Sequence, residues 1–176
     1  NQDLSDWDVS SVWNMHEMFQ GALAFNGDIS TWDVSSVTKM SNVFKDAVSF
    51  NQDLSNWDVS NATQMYSIFD GVNLSDENKC AIHTSFSEQN SLWPYDWSNL
   101  CPFQPQTKAE LETAVNAWAS NATSAEATYG HISDWDVSLI LDMSSLFTNF
   151  GSFNEPIGNW DVSNVANMSK MFYTSD

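Results

Sequence analysis

Apolar side chains recur at a helical spacing inside 25-residue units of the chain. In the unit at residues 26–50, five apolar residues fall within one stripe of about 120° on a helix that turns about 100° per residue. These residues are Val37, Met40, Val43, Phe44 and Ala47. The spacing predicts an amphipathic helix of about three turns, which Asp33 or Ser35 would cap. The preceding segment, 26–30, predicts a short strand with Ile29 pointing inward.

This unit is one copy of a repeat. A Trp-Asp-Val-Ser motif occurs five times, at successive steps of 25, 25, 78 and 25 residues. The motifs lie at Trp7–Ser10, Trp32–Ser35, Trp57–Ser60, Trp135–Ser138 and Trp160–Ser163. A unit of this length cannot bury its apolar stripe alone, whereas stacked copies can. We therefore predict an α/β fold, a leucine-rich-repeat-like solenoid with a short strand and a helix in each repeat, the strands forming a sheet.

Residues 75–131 interrupt the period and predict a mainly helical capping block, because the end of a stack exposes a hydrophobic face. Ser75 would cap a first helix, and the capping box Thr107–Glu110 predicts a second helix at about 108–120. The predicted segments are an array of three repeats at 1–74, a C-terminal-type cap at 75–102 with a helix and an aromatic loop (residues 93–97), an N-terminal-type cap helix at 103–131, and a second array at 132–176. The second array stops inside a repeat, so we expect a piece of a longer chain.

Cys80 and Cys101 are the only cysteines, and both lie in the predicted capping block. An even pair in a chain with the features of a secreted protein predicts a disulfide, which would close a loop of about 20 residues and contribute roughly 3 kcal/mol. The alternative is a zinc site in which His83, three residues after Cys80, is a further ligand. Zinc normally takes four ligands, and no second closely spaced pair follows in this sequence.

Aspartates form two rows when the repeats are stacked. The first row follows the motif tryptophans and holds Asp8, Asp33, Asp58, Asp136 and Asp161. Its fixed place before each apolar stripe predicts that these side chains cap the repeat helices, although calcium could also hold carboxylates about 5 Å apart. The second row, Asp3, Asp28 and Asp53, is the better candidate for a calcium site.

The charge balance is strongly acidic, with 23 Asp and Glu residues against 5 Lys and Arg and a net charge of −18. A surface this negative repels nucleic-acid phosphates and anionic membranes, which argues against both as partners. The sequence has no apolar run of about 18 residues, so no membrane-spanning helix is expected. It also lacks the short signatures of nucleophilic, phosphate-binding and zinc catalysis. We expect a protein that is not an enzyme and that takes no cofactor other than calcium.

The repeat unit, W-D-V-S-[SN]-V-x-x-M-x-x-[MV]-F-x-x-A-x-x-F-N-x-D-[IL]-S, resembles that of the BspA-like leucine-rich-repeat surface-protein family. The match covers residues 1–74 and 132–176. The resemblance implies an extracellular solenoid, and some members of that family are adhesins for host matrix proteins.

We therefore predict a non-enzymatic extracellular structural module, part of a long tandem array that forms a fibre, filament or surface appendage. Its partners would be itself or neighbouring repeats of the same chain. The rival prediction is an adhesin, with or without calcium, that recognises glycans or a surface protein through aromatic side chains expected to be exposed, namely Trp13, Trp93 and Tyr95. The N-x-S/T sequons predict glycosylation at Asn61, Asn73, Asn121 and Asn167.

Overall fold

The computed structural model describes residues 3–148, 150–151 and 153–174, which divide between two compact units, Asn1–Cys101 and Pro102–Asp176. Within this described part, the first unit contains helix α1 (Asp76–Gln89), and the second contains α2 (Lys108–Ser120) and α3 (Ala122–Tyr129). Short 3₁₀ helices lie at Ser98–Leu100 and Ile132–Asp134. The three α-helices and the 3₁₀ helix Ser98–Leu100 lie between the two sets of repeats, and the 3₁₀ helix Ile132–Asp134 lies at the start of the second set. The predicted division into four segments stays a prediction.

The repeats pair through their backbones without forming a sheet. In the first unit, four alternate N–H groups of one repeat donate to carbonyl oxygens of the next repeat, at 2.7–3.2 Å. The pairs are Met15 to Lys39, Glu17 to Ser41, Phe19 to Val43 and Gly21 to Lys45. Over the described residues this pairing produces only isolated parallel bridges, such as the one between Asn14 and Lys39. The predicted strand, and the sheet built from it, are therefore wrong.

The predicted repeat helix is also wrong, because left-handed residues interrupt it. Residues 15–18 form a tight turn, in which the N–H of Met18 donates to the carbonyl of Met15 at 3.1 Å. Glu17, the third residue of this turn, has a φ of 61°. Gly21, with a φ of 68°, repeats the arrangement four residues later. A residue with positive φ cannot continue a right-handed helix, so alternate N–H groups bond the next repeat instead. The equivalent left-handed residues elsewhere include Asn42, Asp46, Ser67, Gly71, Ser145 and Lys170.

The apolar stripe nevertheless marks the inside of the second repeat. The five residues that define it in the second repeat are each no more than 2% exposed; they are Val37, Met40, Val43, Phe44 and Ala47. Ile29, expected to point inward from a strand, is fully buried in a segment of turns. Successive turns return side chains to the same side every three or four residues, as a helix does. The spacing therefore predicted the buried face correctly and the type of element wrongly.

Aromatic columns run from repeat to repeat inside the first stack. The rings of Phe19, Phe44 and Phe69 are nearly parallel, with centroids 5.5 Å apart at each step. The indole N–H of Trp57 donates to the carbonyl of Ile29, in the preceding repeat, at 3.0 Å. The same bond joins Trp32 to Leu4 at 2.9 Å and, in the second unit, Trp160 to Ile132 at 2.8 Å. Each repeat therefore depends on its neighbour for both packing and hydrogen bonds.

Helix α2 confirms the helix expected at 108–120. The Thr107 hydroxyl accepts the N–H of Glu110 at 3.2 Å, and the Glu110 carboxylate accepts the N–H of Gln106 at 2.7 Å. These bonds satisfy backbone donors that have no partner inside the helix. The apolar face of α2 is buried, through Leu111, Ala114, Val115 and Trp118.

Helices α1 and α3 also begin at polar caps. The Ser75 hydroxyl accepts the N–H of Asn78 at 3.3 Å, as the sequence predicts, and α1 buries Ile82 and Phe86. The side chain of Asn121 caps α3, which was not predicted, by accepting the N–H of Ser124 at 3.1 Å.

Candidate functional site

The aspartates of both predicted rows bind serines two residues further on. The carboxylate of Asp33, for example, accepts the backbone N–H of Ser35 at 3.1 Å and its hydroxyl at 2.6 Å. These bonds close Asx turns, and they lower the pKa of Asp33 below its usual range because they favour the ionised form. Since no helix begins at these turns in the described part of the chain, the prediction that the first row caps helices is wrong.

The calcium site expected at Asp3, Asp28 and Asp53 stays a prediction. The three carboxylates lie one per repeat, and each accepts bonds from its own serine; Asp3 binds the Ser5 hydroxyl at 2.7 Å, and Asp53 binds the Ser55 N–H at 2.8 Å. In the part of the chain that the structure describes, no group of three His, Cys, Asp or Glu side chains could hold a metal ion.

Cys80 and Cys101 form a disulfide, as predicted, with Cα atoms 4.9 Å apart. It ties the first turns of α1 to the residue after the first 3₁₀ helix. Because the two sulfurs bond each other, the alternative zinc site is wrong. His83, its proposed third ligand, accepts the indole N–H of Trp93 on Nδ1 at 3.0 Å.

Tyr95, expected to be an exposed binding residue, closes the edge of the third repeat. Its hydroxyl accepts the backbone N–H of Phe69 at 2.9 Å and donates to the carboxylate of Asp70 at 2.8 Å. The equivalent N–H in the second repeat, that of Phe44, bonds the carbonyl of Ile68 at 3.0 Å. Burial raises the pKa of Tyr95, and hydrogen bonding to Asp70 adds to the shift, so the hydroxyl keeps its proton. The side chain therefore takes the place of a carbonyl from a further repeat.

Trp93, also expected to be exposed, packs into the same cap. It is only partly exposed and stands edge-on to the rings of Phe86 and Trp97, with centroids 5.2 and 5.5 Å away. Its indole nitrogen is engaged with His83, as described above. Trp93 and Tyr95 thus make hydrogen bonds and ring contacts with other residues of the same chain.

Two amide side chains at the end of α1 cover another part of the third repeat. Gln89 accepts the N–H of Val59 at 2.8 Å and donates to the carbonyl of Trp57 at 3.1 Å. The buried Asn90 donates to the carbonyls of Val59 and Ala62, both at 2.8 Å. Sequence reasoning missed Gln89 and Asn90, because their partners lie about 30 residues away and no local motif signals them.

In the second unit, Lys108 of α2 covers the start of the repeats in a comparable way. Its ammonium group donates to the carbonyl of Ser144 at 2.8 Å and lies 3.3 Å from the carboxylate of Asp142. Hydrogen bonds from Ser144, followed by the interaction with Lys108, lower the pKa of Asp142 to about 2.

Trp13 is the exposed member of the three predicted binding aromatics. The ammonium group of Lys39, in the next repeat, lies 5.3 Å from the centroid of its ring. A cation over an aromatic face is a favourable contact of about 0.5–1 kcal/mol at exposed sites. Trp13 therefore presents a ring that is open to solvent but held in place.

The sequon asparagines are all exposed, and their glycosylation stays a prediction. Asn61 uses its amide nitrogen, the atom that would carry a glycan, to donate to the carbonyl of Ser35 at 2.9 Å. The side-chain oxygens of Asn121 and Asn167 each accept a backbone N–H, from Ser124 and Ser169.

The outermost repeats leave apolar side chains uncovered. Trp7 and Met18 in the first repeat are exposed, and so are Met168 and Phe172 in the last repeat. We define residues 7–21 as the head edge and residues 160–173 as the tail edge. By contrast, the third repeat is covered by α1 and the aromatic loop, and the repeat that follows α3 is contacted by α2.

The chain matches the family model described as "Mycoplasma protein of unknown function, DUF285" over residues 1–91 and 109–176. It belongs to the DUF285 family. The DUF285 match spans both sets of repeats and leaves the function open. No curated protein and no solved structure matches the chain. Among the described residues of this DUF285 member, no helix is long and apolar enough to span a membrane.

Proposed function

We propose that this DUF285 member is a non-enzymatic extracellular structural module, related to the BspA-like surface proteins, and that arrays of such modules form a fibre, filament or surface appendage. The observation that carries the proposal is the contact between repeats. Backbone N–H groups, indole N–H groups and stacked phenylalanine rings of one repeat all meet the next. Stacks of this kind gain stability from every added repeat, and this property suits a protein that forms long arrays.

The disulfide supports a location outside the cell. Disulfides such as Cys80–Cys101 form and persist in oxidising compartments and are rare in the cytosol of most organisms. The net charge of −18 suits a protein that must stay soluble in a medium that supplies counterions.

The use of titratable side chains supports a role without catalysis. The aspartates of the two rows are engaged in local turns. The three histidines bind neighbouring side chains through Nδ1: His16 binds Ser41 at 2.8 Å, His83 binds Trp93 at 3.0 Å, and His131 binds Ser133 at 2.7 Å. These side chains use their polar atoms in hydrogen bonds that stabilise the fold.

Adhesion is the second candidate, and Trp13 favours it. A solvent-exposed indole ring held by Lys39 offers a flat surface on which a sugar could stack. Substitution of Trp13 by Ala should then abolish binding to glycans or to cells. Tyr66→Ala is the matched control, because Tyr66 is similarly exposed on the third repeat. Equal binding by both variants would exclude this role for Trp13.

Electron microscopy of native material purified from its source tests the structural proposal. Antibodies raised against the 176-residue chain should label filaments at regular intervals, whereas pre-immune serum should not. Label confined to discrete particles or to single molecules on cells would contradict the proposal and favour adhesion.

A further inference from the structure

The second unit contains a pocket between the junction of α2 with α3 and the segment 150–155. Its volume is about 400 Å³, which lies within the range of sites that bind small molecules. Three aromatic side chains line it, those of Trp118, Phe150 and Phe153, and Glu155 is the charged residue among the lining residues. The pocket therefore combines apolar rings with a carboxylate.

Two of these lining residues depart from the repeat pattern. When the repeats are aligned on their motif tryptophans, Phe150 lies where the first repeat has Ala22, and Glu155 lies where it has Gly27. An aromatic ring and a carboxylate thus replace two small residues in the part of the chain that faces the helices. Because the first stack forms without either side chain, the repeat fold does not require them, and we attribute them to the pocket.

Packing against other rings holds the aromatic side chains in place. Phe153 stacks on Phe147 with centroids 4.2 Å apart, and Trp118 stands perpendicular to Trp135 with centroids 6.0 Å apart. The indole nitrogen of Trp118 is buried and has no hydrogen-bond acceptor in the part of the chain that the structure describes. The side chain of Trp118 therefore offers the pocket ring carbon and no accessible donor.

The carboxylate of Glu155 has no partner of its own. Among the described residues it forms no ion pair and no hydrogen bond. Lysines of the chain pair elsewhere, Lys79 with Asp76 and Lys108 with Asp142. The C-terminus of α2 and the N-terminus of α3 meet beside the pocket, so their dipoles oppose each other. Glu155 therefore sets the charge of the pocket.

Aromatic rings beside an unpaired carboxylate attract organic cations. A quaternary ammonium group fits best, because its methyl groups pack on rings and its nitrogen carries no N–H, whereas a primary ammonium has three donors to satisfy. The net charge of −18 also attracts cations and repels anions. We infer that this pocket binds a small quaternary ammonium compound, with its methyl groups against the rings and Glu155 as the counter-ion. The inference holds for a structural module and for an adhesin alike.

Isothermal titration calorimetry with choline, on the whole 176-residue chain, tests the pocket. Choline should bind at one site per chain. Its uncharged analogue, in which carbon replaces the ammonium nitrogen, has nearly the same shape and should bind more weakly, because it gains nothing from the carboxylate. The difference between the two probes therefore measures the effect of the charge.

Glu155→Gln removes the charge and keeps the shape of the side chain. It should weaken choline binding roughly fivefold, the largest effect typical of a partly exposed ion pair, and leave binding of the uncharged analogue unchanged. Glu126→Gln is the matched control, because Glu126 lies on α3, outside the lining of the pocket, and its loss changes the net charge equally. This variant should bind choline as the unmodified chain does.

Gly151→Trp should block the pocket and abolish choline binding. Gly151 lines the pocket, and a Cβ added there would meet no atom within 4 Å. Gly158→Trp is the control, since Gly158 is equally open and is not a lining residue. Circular dichroism would check that both variants fold. If either does not, nuclear Overhauser effects between choline methyl protons and aromatic protons of the unmodified chain should locate the ligand beside Trp118, Phe150 and Phe153.

The same ammonium group occurs in free compounds and in lipid headgroups. Sedimentation of the chain with phosphatidylcholine vesicles, competed by choline, would identify a headgroup as the source and support the inference. Binding of free choline without sedimentation would support it with a free compound as the source.

Four results would overturn the inference: no binding of choline, equal affinity for the uncharged analogue, full binding by Glu155→Gln, or full binding by a folded Gly151→Trp. Binding of methyl glucoside in place of choline would also overturn it, and would assign the pocket to a neutral sugar.

Discussion

The hydroxyl of Tyr95 accepts the backbone N–H of Phe69 at 2.9 Å, at the position where a further repeat would present a carbonyl oxygen. One side chain thus closes part of the edge of the first stack. The same hydroxyl donates to the Asp70 carboxylate at 2.8 Å, so both of its hydrogen-bonding functions are used. The edge of the first stack is therefore covered at this point by a specific side chain.

Replacement of Tyr95 by Phe should destabilise the first unit. The change keeps the ring but leaves the N–H of Phe69 without an acceptor, and Phe69 is only 5% exposed. An unpaired buried donor costs about 1–3 kcal/mol, which urea unfolding would measure. Tyr66→Phe is the control, because Tyr66 is 56% exposed and its hydroxyl should contribute little. Equal stability of the two variants would show that the bond to Phe69 contributes nothing.

The free energy of unfolding should depend strongly on which residue replaces Asn42 in its left-handed turn. Asn42 has a φ of 59°, which glycine adopts freely and a β-branched residue does not. Asn42→Val should lower the free energy of unfolding by about 1–3 kcal/mol, whereas Asn42→Gly should change it little. Lys45→Val, three residues on and outside the left-handed region, is the control. Thermal unfolding in which Asn42→Val and Lys45→Val lose the same stability would contradict the turn geometry.

Loss of the disulfide should loosen the first unit selectively. The bond between Cys80 and Cys101 closes a loop with a sequence separation of 21 residues, for which chain entropy predicts about 3 kcal/mol. The double variant Cys80→Ser/Cys101→Ser should therefore exchange backbone amides faster in α1 and in the aromatic loop. The second unit contains no cysteine and serves as an internal control. An equal increase in amide exchange in both units would show that loss of the disulfide does not act on the first unit selectively.

The sequence predicted the buried face of each repeat but not its backbone. Burial follows from the chemistry of residues such as Met40 and Phe44, whose spacing is visible in the sequence. The backbone depends on which residues adopt positive φ, and three equivalent positions hold Glu17, Asn42 and Ser67, none of them glycine. Only pairing between repeats stabilises these conformations, so local propensity favoured a helix.

The local features of the caps were predictable, and their long-range contacts were not. Thr107 and Ser75 cap helices through residues three positions away, and such bonds leave a motif in the sequence. The contacts of Tyr95 and Gln89 with the third repeat join residues 25–32 positions apart. An aromatic or amide side chain in a loop carries no sign of such a partner, which is why Tyr95 was interpreted as a ligand-binding residue.

The carboxylate of Asp142 should titrate well below an ordinary aspartate. Bonds from Ser144, and then from Lys108, lower its pKa from 3.8 to about 2. Because the folded-state pKa is the lower one, ionised Asp142 stabilises the fold above about pH 4, and this contribution is lost as the pH falls from about 3.8 to about 2. Carboxyl-carbon NMR titration should give a midpoint near 2 in the unmodified chain and a higher midpoint in Ser144→Ala.

Ser163→Ala is the matched control for Asp142, because the Ser163 hydroxyl bonds Asp161 as the Ser144 hydroxyl bonds Asp142, and the substitution removes the hydroxyl but keeps the backbone N–H bond. It should raise the pKa of Asp161, which bonds from Ser163 lower, and leave that of Asp142 unchanged. A midpoint for Asp142 near 3.8 in the unmodified chain, or one that Ser144→Ala does not move, would exclude the Ser144 hydroxyl as a cause of the lowered pKa. With the expected result, a serine two residues further along the chain favours the ionised carboxylate both at Asp142 and at Asp161.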